Sequence, residues 1–128
     1  MIDKPRPGMD IQNVVLDVSL DIHQRLGARS TIDEHENLFV DEIGSRGIHV
    51  SRRQSTTLSF NGSPVRTFLA DVLLEDRVMV EFKSIPAITS DDLIRFAQYL
   101  KSLGFRRGLL INLSGPELDY RQLDLGED

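Results

Sequence analysis

The stretch at residues 68–83 constrains the fold of this chain most, because it has the alternation of a β-hairpin. A three-residue turn at 75–77 pairs the two strands so that one face is wholly apolar, carrying Ala70, Val72, Leu74, Val78, Val80 and Phe82. A two-residue turn would shift the register by one and move Glu81 onto that apolar face. The sequence therefore predicts the three-residue turn.

The opposite face of the predicted hairpin brings two carboxylates together. In this register Asp71 lies directly across from Glu81, with Lys83 on the same face. Like charges in facing positions of neighbouring strands destabilise an exposed pair by about 0.2–1 kcal/mol. A divalent cation held between the two acids would offset that repulsion. The alternative is an ordinary salt-bridge cluster in which Lys83 and Arg95 neutralise both acids.

Composition restricts the chemistry that this chain can perform. Cysteine is absent, which excludes disulfides, thiolate nucleophiles and cysteine-based zinc or iron-sulfur sites. The three histidines, His23, His35 and His49, lack zinc-motif spacing, and we expect ordinary surface or half-buried side chains. An ion with oxygen ligands, Mg²⁺ or Mn²⁺, suits the remaining residues better.

Length and charge bound the organisation of the chain. Its 128 residues predict a single domain at 10–123, with a flexible segment at 1–9 and a frayed end at 124–128. No apolar run is long enough to span a membrane and no signal-peptide core is present, so we expect a cytoplasmic protein without a membrane partner. The net charge of -5 argues against a free-standing, non-specific DNA binder.

Hydrophobic periodicity predicts the order ααβββαββ. Helices are expected at 10–26, from Thr31 or Asp33 towards Gly47, and from Thr89 or Ser90 to Leu103. Besides the hairpin, a strand is expected at 48–60, and a tight turn follows it at 61–63. A buried strand is expected at 107–113 and an edge strand at 117–123.

One motif of this chain resembles that of a known superfamily. An Asp on one strand and Glu-x-Lys on the next, followed by a helix and a strand, resemble the PD-(D/E)XK nucleases through Asp71 and Glu81-Phe82-Lys83. The surrounding segments are similar to the small bacterial GxxExxY proteins, a branch of that superfamily, over about residues 10–123; they lie at 26–27, 46–50, 70–74, 80–83, 99–101 and 108–112.

The resemblance implies a restriction-endonuclease-like α/β (α+β) core, in which helices flank a mixed central sheet. It also implies a metal-dependent nuclease in which Asp71 and Glu81 hold Mg²⁺ or Mn²⁺ and Lys83 assists the attacking water. The backbone carbonyl of Phe82 and water molecules would complete the oxygen ligands. The expected partner is nucleic acid, DNA rather than RNA, although no residue pattern separates the two.

Two departures from the family pattern concern the helices. Ile32 stands where the name-giving Glu belongs and His35 where the Tyr belongs, so Glu36, one turn after Ile32, is our candidate replacement ligand. The alternative for Glu36 is a solvated helix residue. On the later helix Arg95 replaces the family Gln, and we expect Arg95 and Tyr99 to contact nucleic acid. The alternative for Arg95 is that its positive charge fills the site and leaves no need for metal, and the alternative for Tyr99 is helix packing.

Three functions therefore remain open from the sequence. The first is a nuclease. The second is a catalytically inactive module with the nuclease fold, which acts as an interaction or regulatory subunit in a homo-oligomer or with a protein partner. The third is a nucleic-acid-binding module without cleavage, using Arg95 and local basic clusters; the acidic net charge counts against it.

Overall fold

The computed structural model describes residues 10–126, except for the side chains at 53–60 and 65–71. The helices of this part are α1 (Ile11–Leu26), α2 (Ile32–Ser45) and α3 (Ser90–Leu103). Its strands are β1 (Val50–Phe60), β2 (Ser63–Leu74), β3 (Val78–Lys83), β4 (Arg107–Asn112) and β5 (Asp119–Asp124). The predicted order ααβββαββ is confirmed.

The five strands form one mixed sheet in the order β1-β2-β3-β4-β5. Strands β3 and β4 are parallel, whereas the other neighbours are antiparallel. A parallel pair needs a crossover connection, and α3 supplies it between β3 and β4. The sheet with its flanking helices confirms the predicted mixed fold class.

The central hairpin has the predicted register. Leu74 pairs with Val78 and Val72 pairs with Val80 across the three-residue turn. Glu75 and Asp76 adopt positive φ angles of 52° and 50° in this turn. The described pairs of β2 with β3 run from Leu74–Val78 to Val72–Val80, so the predicted pairing of Ala70 with Phe82 stays a prediction. The side chain of Asp71 lies outside the described residues.

The two faces of the sheet carry separate apolar clusters. Helices α1 and α2 cover the first face and form a large core with it, whose buried members include Val15, Ile22, Phe39, Ile43, Val72, Val80, Phe82 and Ile111. Helix α3 covers the second face over a small core of Leu73, Met79, Phe96, Leu100 and Leu110. Because side chains alternate along a strand, β3 contributes to both cores.

Capping side chains define where α2 and α3 begin. The Thr31 hydroxyl accepts from the Glu34 N–H and the Glu34 carboxylate accepts from the Thr31 N–H, which forms a capping box. Thr89 and Asp92 form the same arrangement at the start of α3. Helix α1 ends at Gly27, with φ at 77°, as its sequence predicts.

The expectation that the histidines are surface or half-buried residues is wrong for two of the three. His23 and His35 are 2% and 0% exposed, whereas His49 is exposed. His23 Nε2 donates to the Gly115 carbonyl at 2.9 Å, and His35 Nε2 lies 3.3 Å from Oγ of Ser19. Burial, with a smaller effect of His23, lowers the pKa of His35 to about 4. Both rings are thus part of the packing.

Among the helices described, none has the length and apolar character needed to cross a bilayer.

Candidate active site

Glu81 and Lys83 project from β3 towards α3. Met79, two residues before Glu81, belongs to the small core beneath α3, and the alternation of the strand continues through Glu81 to Lys83. The Glu81 Oε1 lies 3.0 Å from the Lys83 Nζ. Glu81 is only 7% exposed. A nearly buried carboxylate is therefore held beside an ammonium group at the end of the strand.

Helix α3 completes a small pocket around this pair. The pocket has a volume of about 60 Å³ and is lined by Glu81, Lys83, Asp92, Arg95, Phe96, Tyr99 and Leu110. This volume gives room for a few water molecules. The structure thus brings four of the predicted site residues together, two from the strand and two from the helix.

Arg95 lies at the outer side of the pocket. Its side chain is 64% exposed, and its guanidinium Nη2 donates to the Asp92 Oδ1 at 2.9 Å. Hydrogen bonds from the Thr89 N–H and hydroxyl, with the nearby Arg95 as a smaller cause, hold the pKa of Asp92 below its ordinary value. Arg95 therefore has an acidic partner on its own helix and is largely exposed at the pocket that it lines with Glu81 and Lys83.

The end of β3 is fixed by Asn112 at the end of the neighbouring strand. Asn112 Oδ1 accepts from the Ile85 N–H at 3.1 Å, and its Nδ2 donates to the Ile85 carbonyl at 2.9 Å. The Leu113 N–H also donates to the Lys83 carbonyl at 2.8 Å. Sequence reasoning missed this role, although a buried Asn that ends an apolar strand is the signal that points to it.

Phe82 lies between Glu81 and Lys83 in sequence but on the opposite face of the sheet. Its ring packs against Phe39 and His35, with ring centroids 5.2 and 5.1 Å apart. The ring thereby anchors β3 in the large core. The role of the Phe82 backbone carbonyl as a metal ligand stays a prediction.

The position on α2 that the suggested GxxExxY resemblance aligns with a Glu lies on the large-core face. Ile32 packs against the large core. Glu36 is buried and its carboxylate accepts from the Arg52 guanidinium. The alternative of a solvated Glu36 is therefore wrong, because this pairing draws the carboxylate inwards. The structure does not place Glu36 in the pocket of Glu81, and its role as a ligand stays a prediction.

The side chains described at this site contain part of a donor set for a hard cation. The carboxylate oxygens of Glu81 are ligands that Mg²⁺ and Mn²⁺ prefer. Outside the side chains at 53–60 and 65–71 and the chain ends, no three His, Cys, Asp or Glu residues are grouped to hold a metal ion. Asp71, the predicted second ligand, is among those excluded side chains. The donor chemistry fits the predicted ion.

Residues 9–123 match the family model of the PD-(D/E)XK nuclease superfamily. The chain belongs to this superfamily. The match covers the hairpin, the Glu81–Lys83 pair and the α3 pocket, so the superfamily predicted from Asp71 and Glu81-Phe82-Lys83 is confirmed. Nucleases of this superfamily generally use divalent metals.

A solved structure shares the fold. The chain is similar to the crystal structure of SSO0001, with a TM-score of 0.52 and 15% sequence identity. The likeness covers 75% of this chain and 51% of that chain, so the present protein spans about half the length of that relative. No curated protein matches the chain.

Proposed function

We propose that this protein is a Mg²⁺- or Mn²⁺-dependent nuclease that hydrolyses phosphodiester bonds at the pocket between β3 and α3. The proposal rests on the Glu81–Lys83 pair, whose charged atoms lie 3.0 Å apart at a pocket of about 60 Å³ in a chain of this superfamily. We further place the protein in the GxxExxY branch, on the segments quoted above.

Asp71 and Glu81 would hold the ion, together with the Phe82 carbonyl. A bound divalent ion lowers the pKa of a coordinated water and polarises the scissile phosphate. The register of the hairpin supports this pairing of acids, because extending the described pairs by one residue brings position 71 opposite position 81.

Lys83 would orient the attacking water and stabilise the negative charge that develops on the phosphate. A half-buried ammonium fixed beside Glu81 performs both tasks without reorganising during the reaction. Arg95, exposed at the pocket, would contact a phosphate of the substrate, and Tyr99 would contact the adjoining nucleotide. DNA is the expected substrate.

A cleavage assay with matched lysine variants tests this proposal. Labelled single- and double-stranded DNA and RNA are incubated with the protein in Mn²⁺, in Mg²⁺ or in a chelator. We expect metal-dependent cleavage by wild type, a loss of about 10²-fold or more in Lys83→Met, and unchanged cleavage in Lys101→Met, whose lysine is exposed on α3. Equal activity of both variants would contradict the assigned role of Lys83.

A second candidate is a catalytically inactive module with the same fold that serves as an interaction or regulatory subunit. It is favoured by one observation: Ile32 packs in the large core while Glu36 is bound to Arg52, so α2 supplies no carboxylate to the described pocket. A folded wild type that cleaves none of the substrates and whose melting temperature ignores Mn²⁺ would favour this candidate over the nuclease.

A further inference from the structure

We propose that two copies of this chain pair through the outer edge of β5, in antiparallel orientation, with the twofold axis at Tyr120. The inference concerns an interaction surface and is independent of the proposed nuclease activity. It rests on the hydrogen-bonding direction of β5, on the charge pattern along it, and on a groove beside it that exposes Leu20 and Tyr120.

The outer edge of β5 presents backbone groups for pairing. Within residues 10–126, β5 pairs with β4 on one side and is the last strand of the sheet on the other. The Leu125 N–H donates to the Arg106 carbonyl at 2.8 Å. The backbone N–H and carbonyl groups of odd-numbered residues therefore point towards β4, and those of even-numbered residues point outwards. Consistently, the Arg121 guanidinium reaches the Tyr120 carbonyl at 2.8 Å. The N–H and carbonyl groups of Tyr120 and Gln122 therefore face outwards, towards a further strand; of these, the Tyr120 carbonyl already accepts from Arg121 and has its second lone pair for such a strand.

The charges along β5 select one register for a second copy. An axis at Arg121 would place two arginines opposite each other, and an axis at Gln122 would place Tyr120 opposite Asp124. An axis at Tyr120 instead places each Asp119 opposite Arg121 of the second copy, twice by symmetry. Self-complementary charge thus points to a second copy of this chain as the occupant.

A groove of mixed polar and apolar lining lies on the α1 side of the same edge. Tyr120 faces this side because its partner Ile111 belongs to the large core. The groove has a volume of about 490 Å³ and is lined by Asn13, Leu16, Asp17, Leu20, Leu118 and Tyr120. Leu20 and Tyr120 are large side chains that are 44% and 43% exposed. Pairing at Tyr120 would bring the grooves of the two copies together across the axis and cover both side chains.

The two sides of the edge would therefore contribute different contacts. Asp119 and Arg121 lie on the α3 side, because Arg121 pairs with Leu110 of the small core. Within one copy these two side chains already form an exposed ion pair at 2.7 Å. In the dimer the same charges would form a four-membered network on the α3 side, while apolar contacts form on the α1 side. Strand β4 separates this interface from the strand that carries Glu81.

Charge reversal tests the register. Sedimentation velocity should show a dimer for wild type, and Arg121→Asp and Asp119→Arg should each weaken self-association by at least about tenfold, because each places like charges opposite one another twice. An equimolar mixture of the two variants should dimerise again, since each acid then faces an arginine. Arg46→Asp, which reverses the half-exposed arginine that pairs with Glu42 at the end of α2, should remain dimeric.

Amide hydrogen exchange identifies what covers the edge. We expect the Tyr120 and Gln122 amides to be protected in the wild-type dimer and to exchange freely in Arg121→Asp, whose circular dichroism should match wild type. A wild type that is monomeric at every concentration overturns the proposal, as does a mixture of variants that stays monomeric. A monomer with a protected Tyr120 amide would also overturn it, because another segment of the same chain would then cover the edge.

Discussion

The two faces of β3 differ in how completely they are closed. On the α1 and α2 face, Val80 and Phe82 are fully packed in the large core. On the α3 face, Met79 is covered in the same way, but the strand then passes beyond the small core at Glu81 and Lys83. One six-residue strand thus buries one set of alternate residues and, in the proposed function, uses the other set for chemistry.

This difference teaches where substitutions should be tolerated. Apolar side chains packed on every side cannot be truncated without leaving a cavity. A charged pair at a pocket can lose its charge without leaving a cavity, because solvent or a neighbour occupies the space. We therefore expect the first face to control folding and the second to control activity.

The largest expected effect on stability comes from truncating Phe82. Phe82→Ala removes a buried ring that packs on Phe39 and His35, and we expect the free energy of unfolding to fall by about 3–5 kcal/mol. Lys83→Met, one residue along, takes the ammonium away from the nearly buried Glu81 carboxylate and should cost less, about 1–3 kcal/mol. Urea unfolding measures both. Similar losses in the two variants would abolish the proposed division between the faces.

Acid should weaken the large-core face through His35. Its pKa is about 4 in the folded protein and near 6.5 when unfolded, so the unfolded chain binds the extra proton first as the pH falls. The free energy of unfolding is therefore higher by about 3 kcal/mol above about pH 6.5, where His35 is neutral in both states, and this difference is lost progressively as the pH falls towards 4.

Denaturant unfolding at a series of pH values checks this expectation. His35→Gln should flatten the profile between pH 6.5 and 4, whereas His49→Gln, which changes an exposed histidine, should follow wild type. Parallel profiles for all three proteins would show that His35 does not titrate in this range.

The buried carboxylate of α2 gives a smaller effect on the same face. Arg52→Ala removes a charged hydrogen-bond donor of Glu36, and we expect a loss of about 1.5–3 kcal/mol in the free energy of unfolding. Arg46→Ala breaks the half-exposed pair with Glu42 and should cost less, about 0.5 kcal/mol. Equal effects, again from urea unfolding, would mean that burial of Glu36 adds nothing to its pairing with Arg52.

The small core should respond to added rather than removed volume. A Cβ at Gly108 would lie 2.7 Å from Cζ of Phe96 and 2.9 Å from Cδ2 of Leu100, closer than van der Waals contact allows. Gly108→Ala should therefore cost about 1–3 kcal/mol in unfolding free energy. Gly44→Ala, with no atom within 4 Å of the added Cβ, is the matched control and should be neutral or stabilising. A neutral Gly108→Ala would indicate that α3 packs loosely.

The sequence was sufficient for the hairpin because only one register kept Glu81 off an apolar face. It was insufficient for His23, whose partner Gly115 lies 92 positions away, and for Glu36, whose partner Arg52 lies 16 positions away. Helical periodicity places such residues on a face but does not identify what that face meets. The register of β5 and the hydrogen bonds from the Asn112 side chain to the Ile85 backbone likewise depend on which strands become neighbours.

The residues of the candidate site were predictable from the sequence motif, but the side chains that surround them were not. Glu81 and Lys83 share a face by the period of the strand alone, and their positions follow from the sequence. The pairing of Arg95 with Asp92 on the same helix was not predicted, because it depends on the capping arrangement that holds Asp92 at the start of α3. Ile32, which the resemblance aligns with a family Glu, packs against the large core.

Thermal melting of wild type and Asp71→Asn, each with and without Mn²⁺, tests the central claim that the α3 face carries an ion site. We predict that Mn²⁺ raises the midpoint of wild type and leaves the variant unchanged. Without metal the variant should be the more stable protein, because its substitution relieves the repulsion between Asp71 and Glu81. A wild type that ignores Mn²⁺, together with a destabilised Asp71→Asn, would contradict the claim and make the acids structural salt-bridge partners.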